Sequence, residues 1–143
     1  MYQTWKDSIY RQREQLAYKL REPLARLGEQ CFPAWSDRES LNRILLDGLA
    51  TVPHCGWLYV LGTDGVQICD NIGHAGILPG HYGRDRSQRP YIQEQVPPWG
   101  FLLSDAYLSR RSNRPSLTAL QVVSRGDDKL GYIGADFDLR DLP

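Results

Sequence analysis

The spacing of the apolar residues changes near residue 53, and this change constrains the fold more than any other feature of the chain. Residues 2–30 are mostly strong helix formers, with apolar side chains at roughly helical intervals. The apolar positions are Trp5, Ile9, Leu16, Leu20, Leu24 and Leu27. Pro23 lacks a backbone donor and predicts a kink or restart near Glu22, and Arg13 interrupts the apolar face. The chain is therefore expected to begin with a long helix that has one apolar face.

A second helix is expected to begin at Ser36. The run Ser36-Asp37-Arg38-Glu39 has the form of a capping box, in which the serine and glutamate side chains satisfy free backbone amides. Apolar residues follow at helical spacing, at Leu41, Ile44, Leu45 and Leu49, and the pattern ends before Pro53. Residues 1–52 are thus predicted to be helical.

Beyond residue 56 the pattern is that of short strands joined by turns. Segments 56–61 and 66–69 flank an Asp64-Gly65 pair, which is a strong hairpin signal. Further strands are expected over 101–104, 106–109, 116–123 and 130–137, and short helical turns over 85–95. Residues 71–83 are predicted to be a loop, within a connection that is long enough to carry function. The prediction is a single α+β domain over residues 1–143, with helices packed on an antiparallel sheet of about five strands.

The charge of the chain is balanced overall but uneven along its length. Seventeen basic and seventeen acidic residues give a formal net charge of zero, which argues against a nucleic-acid partner and a polybasic membrane-surface protein. Residues 84–114 hold six basic and three acidic groups, whereas residues 125–143 hold three basic and five acidic groups. The cationic stretch is either a solvated loop face or a local anion site.

Targeting signals and catalytic motifs are both weak. No apolar run approaches the roughly 20 residues that span a bilayer, and the charged start of the chain lacks a secretory core. No membrane insertion is therefore expected, and the expected location is cytoplasmic, or periplasmic if the chain is one domain of a membrane receptor. The three cysteines, Cys31, Cys55 and Cys69, suit free thiols in a reducing compartment. They and the three histidines show no metal-ligand spacing, so no metal, cofactor or catalytic residue is predicted. A Cys/His hydrolase remains a minor hypothesis.

Four segments, in order, resemble a known family. They are GWLYVLGTDGVQICD, GRDRSQRPYI, FLLSDAYLSRRSNRPSLTALQVV and GDDKLGYIGADFDL. Together they are similar to the Cache-type, PAS-like "PDC" sensor domains of bacterial receptors, kinases and cyclic-dinucleotide enzymes. The resemblance covers residues 56–139, and the helices at 1–52 fit the long N-terminal helix of such domains. It implies a PAS-like antiparallel sheet with a ligand pocket over one face, and a role in signal transduction rather than catalysis.

The resemblance also implies a set of ligand-binding residues. Arg89 matches the arginine that holds a ligand carboxylate, and Tyr91 matches an aromatic wall of the pocket. Asp105 and Tyr107 match the Asp-Pro-Tyr element of the family. Asp136 matches the acidic residue that receives the ammonium group in members that bind amino acids.

Two departures broaden the ligand class that the resemblance implies. Ile92 stands where amino-acid-binding members have a second aromatic, and Arg84 stands where they have a tyrosine. A small carboxylate-containing or polar metabolite is therefore expected, because arginine presents a planar fork of donors that fits a carboxylate. The other arginines of the stretch are expected to be solvated or ion-paired, namely Arg84, Arg86, Arg110, Arg111 and Arg114.

The predicted partners follow from this interpretation. A sensor module would relay occupancy to a signalling partner or output domain, and the family implies a possible homodimer through the N-terminal helix. The alternative is a dimerisation or interaction module that keeps the fold and has no ligand. In that case Arg89 and Asp136 would pair with each other or with the main chain, and the space between them would be filled by side chains.

Overall fold

A computed structural model describes residues 4–89, 92, 100–109 and 113–142, and the side chains from residue 10 onward within these ranges. Two α-helices precede the sheet: α1 spans Thr4–Cys31 and α2 spans Arg38–Gly48. Short 3₁₀ turns follow each helix and the last strand, at Phe32–Ala34, Leu49–Thr51 and Leu139–Asp141. The predicted order of helices followed by strands is confirmed.

All seven strands of the described residues belong to one antiparallel sheet. They are β1 (Trp57–Gly62), β2 (Asn71–Gly73), β3 (Gly76–Leu78), β4 (Phe101–Leu103), β5 (Tyr107–Leu108), β6 (Pro115–Arg125) and β7 (Asp128–Asp138). The order across the sheet is β3-β2-β1-β7-β6-β4, and β5 pairs with β6 on the same edge as β4. The α+β class is therefore confirmed, and β1, β7 and β6 form the centre of the sheet.

The helices cover one face of this sheet and form the hydrophobic core with it. The helices contribute a row of buried leucines, Leu16, Leu20, Leu24, Leu27, Leu41 and Leu45. The central strands contribute the side chains that point to the same face, among them Leu58, Val60, Leu117, Ile133 and Phe137. The apolar faces of the helices and of the central strands thus form a single core, and the helices leave the other face of the sheet available for a binding site.

Two details of the helices differ from the expectation. Helix α1 runs without interruption through Pro23. The cap of α2 is Asp37 rather than Ser36: the Asp37 side chain accepts a 3.4 Å hydrogen bond from the Ser40 amide and a 2.8 Å bond from its hydroxyl. Ser36 has a positive φ of 78° and ends the preceding turn, so the sequence signal for the cap was displaced by one residue.

The predicted loop over residues 71–83 is wrong in part, because it contains the β2–β3 hairpin. Each of these strands has only three residues, too few to show an alternating pattern, and they raise the strand number above the expected five. The predicted strand over 66–69 pairs with β1 as expected, but only through a short antiparallel bridge between Leu61 and Gln67, with the Ile68 amide donating to the Val60 carbonyl at 3.0 Å. On its other side, Gln67 exchanges backbone hydrogen bonds with Gly83 and Arg84. The connection after β3 therefore returns alongside the first hairpin, over the face of the sheet that the helices leave uncovered.

Candidate functional site

The uncovered face of the sheet carries a row of polar and aromatic side chains. Asp136 on β7 is the cross-strand neighbour of Trp57 on β1 and of Thr118 on β6. Tyr59 lies two residues along β1, directly opposite Gly134. A side chain at position 134 would overlap the Tyr59 ring, so the glycine is what allows this ring to lie across β7.

Asp136 is the centre of a hydrogen-bonded cluster on this face. Its Oδ1 atom accepts a 2.7 Å bond from the Tyr59 hydroxyl and a 2.8 Å bond from the Thr118 hydroxyl. The Tyr107 hydroxyl, from β5, is hydrogen-bonded in turn to Thr118 Oγ1. Three strands besides β7 therefore contribute to holding one carboxyl group, which fixes its position closely.

Arg86 lies beside this cluster and is buried, with an exposed fraction of 6%. Its guanidinium carbon lies 4.1 Å from the centroid of the Tyr59 ring. Its Nε atom donates a 2.8 Å bond to Gln67 Oε1, and its Nη2 atom donates a 3.1 Å bond to Asn71 Oδ1. The expectation of a solvated or ion-paired Arg86 missed this burial, because sequence spacing does not show which arginine of the stretch turns inward.

The local chain geometry explains why Arg86 turns inward. The backbone amide of Arg86 donates to the carbonyl of Gly65, in the turn of the first hairpin. Gly65 has a φ of 82°, and a side chain there would contact Ser87 at 2.9–3.1 Å. Asp85 accepts a 2.8 Å bond from the Ser87 amide and so forms a tight turn on the solvent side. The segment that carries Arg86 therefore packs against the Asp64-Gly65 turn that was predicted from the sequence.

A second polar cluster ties this region to helix α2. Asp70 is buried and accepts a 2.7 Å bond from Arg38 and a 2.8 Å bond from Asn42. Burial alone would raise the pKa of Asp70, but the hydrogen bonds from Arg38 and Asn42 outweigh it and hold the pKa below its usual range. Because Asp70 directly precedes Asn71, this cluster fixes the strand that supports Arg86.

A cavity of about 520 Å³ lies between this face of the sheet and the segment that follows β3. Three of the predicted site residues, Arg89, Tyr107 and Asp136, line it. Tyr91, also predicted, lies outside the described residues. The structure thus brings an arginine of the Arg-Pro-Tyr motif and the aspartate of β7 to the same cavity, although 47 positions separate them in the chain.

Asp105 does not line the cavity, in contrast to the expectation from the family motif. Its side chain is 90% exposed, and its Oδ1 atom lies 3.6 Å from Arg13 Nη2 on helix α1. The short segment between β4 and β5 turns this carboxylate toward the helix, while Tyr107, two residues later, turns toward the cavity. Asp105 is therefore not part of the candidate site, which contains other residues that were not predicted from the sequence.

Tyr59, Thr118, Gln67, Asn71 and Arg86 are the site residues that the sequence reasoning missed. Alternation along β1 and β6 could not single out Tyr59 and Thr118, because buried aliphatic residues occupy both phases of these strands, with Leu61 two positions from Tyr59 and Leu120 two positions from Thr118. No pattern marked Gln67 and Asn71 either, because Gln67 lies in the irregular segment between β1 and β2 and Asn71 begins a strand of only three residues.

The lining of the cavity is divided by charge. Arg84, Arg86 and Arg89 come from the segment after β3, and Asp136, Asp138 and Asp141 come from β7 and the turn behind it. Asp138 is engaged, since its carboxylate accepts a 2.9 Å bond from the Arg140 amide and lies 3.4 Å from Arg114. A molecule in the cavity would therefore face cations from one side and carboxyl groups from the other.

Burial raises the pKa of Asp136 above its usual range, and the hydrogen bonds from Tyr59 and Thr118 and the charge of Arg86 offset only part of this effect. The folded protein therefore holds the Asp136 proton more tightly than the unfolded chain, whose aspartates have a pKa of about 3.9. The stabilising contribution of this group is present below the unfolded value and is lost as the pH rises through the folded-state pKa.

This sign leads to a test by urea unfolding across the acidic to neutral range. The difference in unfolding free energy, wild type minus Asp136→Asn, is expected to fall as the pH rises, because the variant has no carboxylate to charge. Asp85→Asn is the control of opposite sign: hydrogen bonds from Ser87 lower the pKa of Asp85, so the same difference should rise with pH. A pH-independent difference for Asp136 would contradict the burial argument.

The thiols and histidines form no second site in the part of the chain that the structure describes. Burial raises the pKa of Cys31 and of Cys69 to about 12, and raises that of Cys55 as well. Such thiols stay protonated at neutral pH and are poor nucleophiles. Among the described residues, no group of three histidine, cysteine, aspartate or glutamate side chains is placed to hold a metal ion.

No protein-family model matches the chain, and no curated protein matches it by sequence. Solved structures match it in fold. The ligand-binding domain of the Campylobacter jejuni chemoreceptor Tlp3, in complex with 4-methylisoleucine, has a TM-score of 0.71 at 14% identity over 94% of this chain and 54% of that one. An extracellular ligand binding receptor from Desulfohalobium retbaense has a TM-score of 0.69 at 13% identity, over 90% and 24%. The ligand binding domain of Mlp24 with asparagine has a TM-score of 0.63 at 12% identity, over 94% and 53%.

These similarities define the class of fold: the chain has the α+β fold of these ligand-binding domains, which is the fold that the resemblance to Cache-type (PDC) domains implied. The chain spans about a quarter to about half the length of these solved chains. One of them is described as an extracellular receptor, and the location of this chain stays a prediction. Within the described part of this chain, no helix has the length and apolar character that crossing a membrane requires.

Proposed function

We propose that the chain is a sensor module that binds a small carboxylate-containing polar metabolite in the cavity. The observation that carries the proposal is Arg89. It is half-buried, it lines the cavity together with Asp136, and its guanidinium makes no hydrogen bond or ion pair with any described residue. A half-buried guanidinium with open donors is suited to a bidentate carboxylate ligand.

The size of the cavity supports the same proposal. Small-molecule sites typically enclose about 300–1,000 Å³, and this cavity measures about 520 Å³. The ligand-free interaction module would have this space filled by side chains. Because the space is open, and because Arg89 and Asp136 each face it, a binding function is favoured over a merely structural one.

The residues of the cavity suggest distinct roles. Arg89 would hold the ligand carboxylate. Asp136 accepts two hydroxyl bonds on Oδ1, and a carboxylate has about four acceptor positions, so it retains capacity for an ammonium or hydroxyl group of the ligand. Tyr107 would supply a ring to the wall, since its hydroxyl is engaged with Thr118. Tyr91 remains proposed as a second wall on the resemblance alone.

Similar solved structures support a polar metabolite as the ligand class. Tlp3 is described in complexes with 4-methylisoleucine, L-norvaline, L-valine and isoleucine, and Mlp24 with asparagine. In this chain Arg84 and Ile92 replace two aromatic positions of the amino-acid-binding pattern. The proposed class is therefore broader than amino acids and includes hydroxy acids and dicarboxylates.

The proposed output is a change transmitted to a signalling partner or output domain through α1 or the end of β7. No reaction is proposed, because the cavity lacks an activated nucleophile among the described residues. Dimerisation through α1 is part of the proposal, and Tyr10 and Tyr18, which are exposed on this helix, are where such a contact would lie.

Arg89→Ala tests the role of the arginine as the anchor. A thermal-shift screen of amino acids, hydroxy acids and dicarboxylates against the wild type should identify stabilising compounds, and calorimetry should then give their affinities. Loss of a charge-assisted hydrogen-bond pair costs about 1.5–3 kcal/mol, so the variant is expected to bind them about 10- to 100-fold more weakly.

Arg43→Ala is the matched control, since Arg43 is exposed on α2, on the opposite side of the sheet. This variant should bind every identified compound as tightly as the wild type does. Equal stabilisation of wild type and Arg89→Ala would show that Arg89 is not the anchor. A screen with no stabilising compound, combined with a dimer in sedimentation experiments, would favour the interaction module instead.

A further inference from the structure

Arg13 is a charged residue on the buried face of helix α1, where its neighbours in the helix are apolar. Leu16, Ala17 and Leu20 are all buried against the sheet, whereas the Arg13 side chain is 29% exposed. Its Nε atom is buried without a hydrogen-bond partner in the described part of the structure. Burying a guanidinium in this position costs free energy, so its remaining contacts need an explanation.

Those contacts are directed at one short segment of the sheet edge. Arg13 Nη2 donates 3.1 Å hydrogen bonds to the carbonyl oxygens of both Leu103 and Ser104, at the end of β4. The same atom lies 3.6 Å from the exposed carboxylate of Asp105. The carbonyl bonds dominate this contact, because an ion pair with so exposed a partner contributes little.

Ser104 connects this contact to the centre of the sheet. Its amide donates a 2.8 Å bond to the Thr118 carbonyl, and its hydroxyl oxygen accepts a 2.9 Å bond from the Thr118 amide. The Ser104 hydroxyl donates in turn to the Asp105 carbonyl at 2.9 Å. Ser104 and Thr118 are therefore held together by two bonds, and both residues are fully buried.

Thr118 is also the residue that joins the two cavity walls. Its hydroxyl donates to Asp136 and is bonded to the Tyr107 hydroxyl. A continuous series of hydrogen bonds thus runs from the cavity through Thr118 and Ser104 to Arg13. The apolar contacts of α1 tolerate small sliding movements, whereas hydrogen bonds depend steeply on distance and angle.

We propose that Arg13 is a positioning residue that couples the occupied cavity to helix α1. The proposal rests on the proposed function for the identity of the signal, but the coupling itself is a property of the unliganded protein. A displacement of Tyr107 or Asp136 would shift Thr118 and Ser104, and Arg13 would carry the shift into the helix. Asp105, expected in the ligand site, serves in this arrangement on the helix side of the connection.

Hydrogen exchange, measured without any ligand, tests this coupling. The perturbation is Asp136→Asn, which keeps the volume of the side chain and removes its charge, and Tyr107→Phe is a second perturbation from the other cavity wall. Each is expected to change the exchange rate of amides in residues 10–17 by about twofold or more, because about twofold corresponds to the weakest coupling free energies usually measured between linked residues. The change should disappear when Arg13→Met or Ser104→Ala is added.

Arg26→Met is the matched control, because Arg26 lies on the same helix and, among the described residues, its ion pair is with Glu22 of that helix at 2.7 Å. In this background the response to Asp136→Asn should be retained. A response that persists in Arg13→Met and Ser104→Ala would overturn the proposal, as would no response to either perturbation in the wild type. A purely structural role of Arg13 would raise exchange generally but would leave the response intact.

Failure of this test is distinguishable from failure of the proposed function. The ligand screen depends on Arg89 and on an added compound, whereas the exchange experiment depends on neither. Ligand binding without coupling through Arg13 would mean that the signal is transmitted through a different helix or strand. Coupling with no binding would leave the connection between cavity wall and helix established and the ligand class open.

Discussion

Gly134→Ala is expected to lower the free energy of unfolding by about 2–3 kcal/mol, which is the usual cost of overpacking a well-filled region. The added methyl group would overlap three atoms of the Tyr59 ring, of which the furthest, Cδ2, is 2.8 Å away. Tyr59 is itself fully buried, with Arg86 against its ring, so it has no free direction in which to move. Urea denaturation measures the loss directly.

The same variant should also disturb the candidate site. Displacement of the Tyr59 ring would weaken its hydroxyl bond to Asp136, and near-ultraviolet circular dichroism should report the changed environment of the ring. Gly56→Ala is the control, because a methyl group there would meet only the Asp136 carbonyl at an ordinary 3.5 Å. A Gly134→Ala protein as stable as Gly56→Ala would refute the close packing of Tyr59 on β7.

Arg86→Met is expected to destabilise the protein by about 3 kcal/mol. The substitution keeps most of the length of the side chain but leaves the buried Gln67 Oε1 atom without its 2.8 Å donor, at a cost of about 1–3 kcal/mol. It also removes the cation from the Tyr59 ring, an interaction that contributes up to about 2 kcal/mol when desolvated. Equilibrium unfolding in urea gives the total.

Arg84→Met provides the matched control, since Arg84 lies two positions earlier and is exposed. It should change stability by less than about 0.5 kcal/mol, as is usual for surface positions. Arg86 also lowers the pKa of Asp136, so Arg86→Met should raise that pKa further, and carboxyl-carbon NMR should detect the shift. An unchanged Asp136 titration would show that the two groups are not electrostatically linked.

These two predictions concern the same physical arrangement. Tyr59 stands between the buried guanidinium of Arg86 and the half-buried carboxyl group of Asp136, and it contacts the first through its ring and the second through its hydroxyl. Neither charged group is stable in such a position unless its hydrogen bonds are satisfied. The site is therefore built as a unit, and a change in any of Arg86, Tyr59 or Asp136 is expected to affect the other two.

Much of the fold was predictable because its signals are local. The helical spacing of Leu16, Leu20, Leu24 and Leu27 predicted one face of α1, and these residues are buried in the core. The strands expected over 116–123 and 130–137 lie within β6 and β7, and the Asp64-Gly65 turn joins β1 to the segment that bridges back to it. The β2–β3 hairpin was missed because strands of three residues are too short to show a period.

The candidate site was predictable only where a motif marked it. Arg89 and Asp136 were selected on their resemblance to family positions, and both line the cavity. Asp105 was selected on the same basis and lies elsewhere, because the segment between β4 and β5 turns it toward Arg13. Arg86 was assigned to the solvated surface, and its burial depends on the pairing of residues 83–86 with the first hairpin.

The sequence by itself determined which elements form and which of their faces are apolar, since periodicity and turn residues act over a few positions. It also indicated, by resemblance, an arginine and an aspartate as candidates for a ligand site, and both line the cavity. Only the tertiary structure decided which polar residues are buried together. Burial of Arg86 beside Tyr59 and Asp136, and the contact of Arg13 with β4, bring together residues many positions apart, and their hydrogen bonds form only when the whole sheet is assembled.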